Sequence, residues 1–266
     1  MRRLKRLLKM HRIFVIQDLK RITEYKADFL VGLIGFAAGQ VVNILFLSII
    51  FSRIPHLLGW EYEAVIFIYG FSLLPKALDR LLFDNIWSVG WSLMRNGDFD
   101  KYLTRPVNTL FHVITERFQL DSAGELTVGI LLLCSVAGKL EISWSFMNIL
   151  LFILVLPFAV LIYTSIKILA ASPAFWIKRS QHIIFTFYNM NDFSKYPAKI
   201  YSRVVQTAVT YIVPFAFTAY YPSCYFLTGE NPLFNIGGTV LISAVLFTLA
   251  VAVWHWGLSA YESAGS

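Results

Sequence analysis

Charged residues are scarce in this sequence of 266 residues. They make up 15% of the chain, whereas 57% of the residues are hydrophobic and the mean hydropathy is +0.63. A soluble domain of this length could not bury so much apolar surface. The apolar residues also fall in blocks of membrane-spanning length. The composition therefore predicts an all-α membrane protein.

The sequence also lacks the motifs on which catalysis and cofactor binding usually depend. It has no G-x-x-x-x-G-K-[ST] loop to bind ATP phosphates, no H-E-x-x-H and no C-x-x-C. Its two cysteines, Cys134 and Cys224, lie in different predicted spans, and its five histidines are scattered. Neither a metal site nor a disulfide is indicated. We therefore expect no catalytic residues, no cofactor and no metal in this chain.

Six apolar blocks are each long enough to cross roughly 30 Å of hydrocarbon as a helix. The second block leaves the hydrocarbon near Lys76, Asp79 and Arg80. Because six is an even number, both ends of the chain should lie on the same side of the membrane. The predicted spans, which form a single permease domain at 27–266, are residues 27–51, 62–83, 118–138, 146–170, 204–226 and 234–257.

Lys and Arg residues are concentrated on alternate connections. Nine precede residue 27, five lie at 76–105 and five at 178–203. The complementary connections contain only Arg53 and Lys139. By the positive-inside rule, this distribution predicts a multi-pass protein with cytoplasmic N and C termini. The net charge of +7 is then explained by orientation and by attraction to anionic membrane lipids, and we expect no nucleic-acid partner.

Residues 2–22, within a cytoplasmic segment at 1–26, have the periodicity of an amphipathic helix. One face is apolar and the opposite face consists of Lys and Arg. Such a helix should lie among the lipid headgroups of the inner leaflet before the first span. A solvated basic tail is the alternative. The apolar face contains Leu4, Leu8, Val15, Leu19 and Ile22.

The connection at residues 83–110 has an amphipathic pattern of its own. Phe83, Trp87, Trp91 and Met94 recur at helical spacing, and a turn is indicated at Asn96-Gly97-Asp98. A surface with aromatic anchors, arginine and paired acids is suited to docking another protein. A connector that rests on lipid headgroups is the alternative.

Four charged residues, Glu116, Arg117, Asp121 and Glu125, precede the short apolar run of the third predicted span. The purely apolar run from Leu126 to Gly138 is too short to cross a bilayer, so the helix should begin earlier and carry Asp121 and Glu125 into the membrane. Arg117 would lie one helical turn from Asp121 and could pair with it. These residues either line a translocation path or form a salt bridge that orders the helix entry.

Pro157 lies inside the fourth predicted span and Pro214 inside the fifth. Each should kink its helix because proline lacks the N–H group and clashes with the preceding turn. Such kinks could serve as gates or only adjust packing.

Short motifs follow one another in a characteristic order between the first cytoplasmic connection and the C-terminal end. They are Gly97-Asp98-Phe99-Asp100, Tyr102-Leu103, Arg105-Pro106, Phe193-Ser194-Lys195-Tyr196-Pro197, Val213-Pro214-Phe215-Ala216, Tyr221-Pro222, Trp256-Gly257-Leu258 and Tyr261-Glu262-Ser263-Ala264-Gly265. In their order and their placement relative to the spans, they resemble the permease subunits of ABC-2 type exporters, specifically the bacterial six-helix branch.

The resemblance implies a permease of the bacterial cell membrane that pairs with a second permease, more often a related chain, and with a separate ABC ATPase subunit. Residues 2–22 are similar to the family's interface helix, and residues 84–106 are similar to the coupling helix that fits a groove of the ATPase. The permease itself would perform no chemistry. An ion-coupled secondary transporter that works without an ATPase is the alternative, although no internal repeat favours it. The implied coupling residues are Trp87, Trp91, Asp98, Phe99, Asp100, Tyr102, Arg105 and Pro106.

Overall fold

The structure is a computed structural model that describes residues 26–177 and 180–263, together with residues 16, 17, 20 and 24. Within these residues the regular structure is helical and contains no β-strand, which confirms the all-α prediction. The predicted interface helix at residues 2–22 lies outside the described residues, apart from three positions.

Helices of five residues or more are numbered here in chain order, and the shorter turns are named by their ranges. The α-helices of the described residues are α1 (Lys26–Arg53), α2 (Tyr62–Phe83), α3 (Thr109–Thr115), α4 (Ala123–Ala137), α5 (Phe146–Ala171), α6 (Gln181–Asn189), α7 (Arg203–Thr207), α8 (Tyr220–Thr228) and α9 (Gly238–Ser259).

Four helical stretches are long and apolar enough to cross a membrane. They are Lys26–Arg53, Leu120–Ala137, Phe146–Ile177 and Leu233–Ser259, close to the first, third, fourth and sixth predicted spans. Helix α2 has the bounds expected for the second span, but it contains Glu63, Lys76, Asp79 and Arg80 among its 22 residues. Its charges are therefore accommodated by contacts with neighbouring helices, as described below.

The fifth predicted span, 204–226, is not one continuous helix. Helix α7 continues into a π-helical turn at Ala208–Ile212, the backbone then leaves the helix at Val213 and Pro214, and a 3₁₀ turn precedes α8. The sequence predicts only a kink here. The break is complete because Pro214 cannot donate a backbone hydrogen bond and because the α conformation is unfavourable for the residue before it.

Helix α5, in contrast, runs through Pro157 without leaving the α conformation. Because proline has no N–H group, the helix loses only the one backbone hydrogen bond that this group would donate to the preceding turn. The two prolines thus have different structural effects although they occupy similar positions in the sequence.

Helix α2 lies at the centre of the described fold. It packs most extensively against α4 and also against α5, which in turn packs along α9. Small residues bring α2 and α4 close together, because a Cβ atom on Gly129 would lie 3.1 Å from the carbonyl oxygen of Gly70. Helix α1 contributes few buried residues and leaves most of its apolar surface open. This close α2–α4 contact positions the charges of the two helices for pairing.

Candidate functional site

The connection between α2 and α3 forms a compact structure at one end of the helices. Residues 84–106, called the coupling segment below, begin with a 3₁₀ turn at Asp84–Ile86 and a π-helical turn at Val89–Leu93. A short helical turn at Met94–Asn96 then ends at Gly97, whose φ of +78° is readily adopted only by glycine. The segment is therefore built of short turns joined by a sharp reversal.

These turns change the directions in which the regularly spaced aromatic side chains and Met94 point. The helical spacing of Phe83, Trp87, Trp91 and Met94 predicts one shared face, and that prediction is wrong. A π-helix contains more residues per turn than an α-helix, so the periodicity shifts within the stripe. Trp91 is 57% exposed, Met94 is buried, and Trp87 packs against the ring of Tyr188 at a centroid distance of 5.0 Å.

Phe99 is the centre of the buried side of the coupling segment. It is fully buried, and its ring lies 5.5 Å from that of Phe175 and 6.2 Å from that of Trp254. The ring of Tyr261 lies 5.1 Å away on the same cluster. Residues from the connection after α5, from α9 and from the C-terminal tail therefore meet around one side chain of the coupling segment. Such aromatic contacts supply both buried area and a preferred geometry.

Asp100 connects the coupling segment to the C-terminal tail. The hydroxyl groups of Tyr261 and Ser263 donate to its two carboxylate oxygens at 3.0 and 2.6 Å. Two of the motifs on which the family resemblance is based are thus in direct contact, although they are about 160 residues apart in the chain. Hydrogen bonds to a charged carboxylate are stronger than those between neutral groups.

Ionisable residues fix the remaining side of the segment against α3. The Tyr102 hydroxyl donates to Glu116, and Lys101 pairs with the same carboxylate at 3.2 Å. Burial acts to raise the pKa of Glu116, but the hydrogen bond from Tyr102 and the charge of Lys101 outweigh it and the pKa is lowered. Glu116 is therefore ionised at neutral pH and holds the segment at this point.

Arg105 lies beside a histidine of α3. Its Nη1 atom is 3.0 Å from Nε2 of His112. Burial, and then the charge of Arg105, lower the pKa of His112. The ring is thus neutral at pH 7 and can accept a hydrogen bond from the guanidinium.

The predicted coupling residues consequently divide into two groups. Phe99 and Tyr102 are buried, and Trp87 and Asp100 are half-buried, so these four fix the conformation of the segment. The others are exposed, although Arg105 also contacts His112. This outer surface, called the exposed edge below, consists of Trp91, Arg95, Asp98, Arg105 and Pro106.

The residues predicted for the start of the third span have different environments. The helical stretch begins at Leu120 with a 3₁₀ turn before α4 and contains Asp121 and Glu125 as expected, but Arg117 lies outside it because residues 117–119 are not helical. Among the ion pairs of the described residues there is none between Arg117 and Asp121, and Asp121 instead accepts from the Gln119 amide at 2.9 Å. The irregular backbone removes the helical spacing on which that pairing depended.

Glu125 is fully buried in the first turn of α4 and faces cations of α2. It pairs with Lys76 at 2.8 Å and with Arg80 at 3.6 Å. The Gln40 amide of α1 donates to it at 3.5 Å, and Gln40 in turn accepts from the Tyr69 hydroxyl. Three helices therefore surround this carboxylate, whose charge is compensated within the protein.

A second buried ion pair lies on the side of α2 that faces α5, and it was not predicted from the sequence. Lys167 of α5 pairs with Asp79 at 2.7 Å, and Thr164 donates to Asp79 at 2.7 Å. The sequence feature that could have predicted this pair is Lys167, a lone cation in an otherwise apolar span. An isolated charge in such a helix requires a partner, and Asp79 is the acid that α2 provides.

A family model described as ABC-2 family transporter protein matches residues 37–265. The chain belongs to this family. It is therefore a multi-pass membrane permease of the kind found in ABC exporters. Members of the family are generally non-catalytic transmembrane subunits that associate with an ABC ATPase and with lipids. No curated protein and no solved structure matches the chain.

The ABC-2 permease also contains an apolar cavity of about 270 Å³ beside the break at Pro214. Its walls come from α5, α6, α9 and the broken fifth segment, including Ile166, Phe187, Val213 and Leu246. No cluster of metal-binding side chains occurs in the part of the chain that the structure describes.

Proposed function

We propose that this permease forms a translocation path with a second permease and is driven by a separate ATPase that docks on the exposed edge of the coupling segment. The observation that carries the proposal is the division of the segment into a fixed inner side and a free outer side. Phe99, Tyr102 and Asp100 fix the backbone, while Trp91 and Arg105 remain exposed.

The composition of the exposed edge suits a protein partner. Tryptophan and arginine are the residues that most often dominate binding energy at interfaces. Arg95, Asp98 and Arg105 place charges of both signs around Trp91, which favours one orientation of a charged partner over others. A preorganised surface also loses less conformational entropy on docking than a flexible loop would.

ATP binding would close the ATPase subunits and push the coupling segments of the two permeases. The permease dimer would then shift between inward-facing and outward-facing forms, because ATP binds the two states of the complex with different affinities. In this scheme the permease supplies the two-state element and the ATPase supplies the chemistry.

The orientation in a bacterial cell membrane would place the N and C termini in the cytoplasm. The positive-inside pattern of the sequence supports this arrangement. The contacts of Phe99 with Phe175 and Tyr261 support it as well, since they bring the start of the connection after α5 and the C-terminal tail to the end of the fold that holds the coupling segment. The predicted interface helix at 2–22 would lie in the headgroup region on the same side.

The open apolar surface of α1 could bind the second permease. Only Gln40 and Leu47 are buried in this helix of 28 residues. Apolar side chains such as Val31, Val42 and Ile49 are exposed, so lipid or another subunit must cover them in a membrane. We propose that the second permease is a chain related to this one.

The translocation path would begin at the inner end of α4. Arg117 is exposed and Asp121 is half-buried there, so both could contact a passing substrate, whereas Glu125 would fix the neighbouring helices from inside. Pro214 separates two helical pieces next to the apolar cavity and is the better candidate for a gate than Pro157, which lies in a continuous helix.

Charge reversal at the exposed edge tests docking directly. The chain is tagged, expressed with its genomic neighbours and isolated in mild detergent, and the eluate is assayed for ATP hydrolysis. We expect Asp98→Lys and Arg105→Glu each to lower retention of the ATPase by about tenfold, because a charge repelled at an interface costs more than one that is only lost. Glu141→Lys and Lys139→Glu reverse exposed charges at the opposite end and should leave retention unchanged.

Equal retention in all four variants would remove the docking assignment. If the unaltered chain elutes in folded form without an ATPase, the exporter mechanism itself falls.

An ion-coupled secondary transporter is the second candidate, and the buried acids Asp79 and Glu125 favour it. Ionisable residues inside membrane helices often form ion pathways. Liposomes that contain the purified chain alone and an entrapped pH-sensitive dye distinguish the two functions. A proton flux that Glu125→Gln abolishes would support the secondary transporter, and an absence of flux would support the exporter.

A further inference from the structure

Lys167 is a buried lysine whose ammonium group has three partners. Its Nζ atom lies 2.7 Å from Oδ2 of Asp79, 3.4 Å from Oδ1 of Asp84 and 3.1 Å from the backbone oxygen of Phe83. An ammonium group has three protons to donate, so these acceptors can use all of them. The side chain is 4% exposed, which leaves water little access to compete for these contacts.

The three partners of Lys167 belong to functionally different parts of the chain. Asp79 lies within α2 and is also bonded to Thr164 of α5. Phe83 is the last residue of α2, and Asp84 is the first residue of the coupling segment. One ammonium group therefore joins α5, the inner end of α2 and the entry of the coupling segment.

This connection is distinct from the other contacts of the coupling segment. Asn85 donates to the backbone oxygen of Val113 at 2.7 Å, which ties the entry to α3 outside the bundle of long helices. Phe99 and Asp100 tie the far end to α9 and the tail. Apart from apolar packing of Ile86 and Val89, Lys167 is the described link from the entry of the segment to α5.

The two carboxylates of this cluster differ in burial. Asp79 is fully buried, so separating it from Lys167 would leave two uncompensated charges inside the protein. The side chain of Asp84 is 21% exposed and lies farther from Nζ, so water can replace it at lower cost. Helices α2 and α5 should consequently move together, with the coupling segment attached to them through the contact with Asp84.

We propose that Lys167 is a positioning residue of the transport cycle, which transmits displacement of the coupling segment to α5 through Asp84 while Asp79 keeps α2 and α5 in register. This role rests on the proposed function, since it assumes an ATPase that moves the segment. Displacement reaches α2 directly along the chain. Without the Lys167 contacts, α5 would receive it only through the hydrogen bond of Thr164 with Asp79 and through apolar side chains, which can slide past one another.

Hydrogen exchange in nanodiscs tests this role without knowledge of the transported substrate. The full chain with its co-expressed ATPase is compared in nucleotide-free buffer and with MgATP and vanadate. In the unaltered complex we expect nucleotide to change exchange both in residues 84–106 and at the inner end of α5, residues 164–171. In Asp84→Ala the response of 84–106 should persist, and that of 164–171 should fall by about fivefold, the size expected when one such contact is lost.

Two further variants separate transmission from folding. Lys167→Met combined with Asp79→Asn removes both buried charges at once, which avoids an unpaired charge, and it should reduce the response of 164–171 as Asp84→Ala does. Glu141→Gln removes an exposed carboxylate at the opposite end and should respond like the unaltered chain.

The outcomes distinguish this inference from the proposed function. A normal response of residues 164–171 in Asp84→Ala and in the double variant overturns the role of Lys167 while leaving the exporter intact. If the unaltered chain retains no ATPase, the exporter mechanism fails and the transmission role fails with it. The contact between Lys167 and Asp84 can still be tested in that case. In the isolated chain, Asp84→Ala should raise hydrogen exchange in residues 84–96 about fivefold relative to Glu141→Gln.

Discussion

Asp79 and Glu125 are two buried carboxylates, one where α2 faces α5 and the other where α2 faces α4, and they are stabilised in different ways. Each has a lysine close by, Lys167 at 2.7 Å from Asp79 and Lys76 at 2.8 Å from Glu125. Glu125 has a second cation, Arg80, at 3.6 Å. Among the described residues, Asp79 pairs with Lys167 alone.

The position of each acid within its helix adds to the difference. Glu125 lies in the first turn of α4, where the partial positive charge of the helix N-terminus favours an anion. Asp79 lies inside α2, where no helix end contributes. A buried charge with two ionic partners tolerates the loss of one partner, whereas a buried charge with a single ionic partner does not. The two sides of α2 should therefore respond unequally to the same kind of mutation.

Lys167→Met should have the largest effect on stability. It leaves Asp79 buried with only the Thr164 hydroxyl, and removal of one partner of a buried ion pair typically costs about 3–5 kcal/mol. We expect the free energy of unfolding, measured by SDS titration of the purified protein in detergent micelles, to fall by that amount. The double variant with Asp79→Asn should recover most of the loss, and a single variant as stable as the double one would contradict the single-partner interpretation.

Lys76→Met should cost less, although it also removes a lysine from a buried carboxylate. Arg80 and the Gln40 amide remain beside Glu125, so the expected loss in the same titration is about 1.5–3 kcal/mol, that of a charged hydrogen bond. Adding Arg80→Met should lower stability by more than the sum of the two single effects, because Glu125 then loses both cations. If Lys76→Met destabilises as strongly as Lys167→Met, the two sides of α2 do not differ.

The sequence identifies one of these acids and not the other, and the reason is physical. Glu125 is conspicuous because it stands at the start of an apolar run too short to cross a bilayer. Asp79 belongs to a group of charges that is equally expected where a span leaves the hydrocarbon. Its partner Lys167 is 88 residues away, and only the packing of α2 against α5 brings the two together.

The coupling segment shows a similar limit. Local motifs are sufficient to predict a turn at Gly97 and a family resemblance. They do not show which side chains point outward, because a π-helical turn at Val89–Leu93 changes the periodicity and exposes Trp91. The broken fifth span has the same origin, since the effect of Pro214 depends on backbone preferences that hydropathy does not measure.

Tyr69→Phe tests the hydrogen bonds around Glu125, and its effect on stability should be smaller than that of Lys76→Met. The Tyr69 hydroxyl donates to Gln40 at 2.5 Å, and its removal leaves a buried amide oxygen without that donor. The expected loss in free energy of unfolding is about 1 kcal/mol, as for a neutral hydrogen bond. Tyr211→Phe, at an exposed tyrosine, is the matched control and should be neutral. A neutral Tyr69→Phe would show that Gln40 does not depend on Tyr69.

Asp121→Asn should have the smallest effect on stability, and it separates Asp121 from Glu125. The two residues are four positions apart and both carry a carboxyl group, but Asp121 is half-buried and bonded to the Gln119 amide, whereas Glu125 is enclosed by cations. An asparagine oxygen can still accept from that amide. The free energy of unfolding should therefore change by less than about 0.5 kcal/mol, as for most surface substitutions. Glu125→Gln, in contrast, leaves Lys76 and Arg80 without their carboxylate and should destabilise the protein by several times that amount. If Asp121→Asn is equally destabilising, Asp121 is part of the structural network, and its proposed place on the translocation path loses its basis.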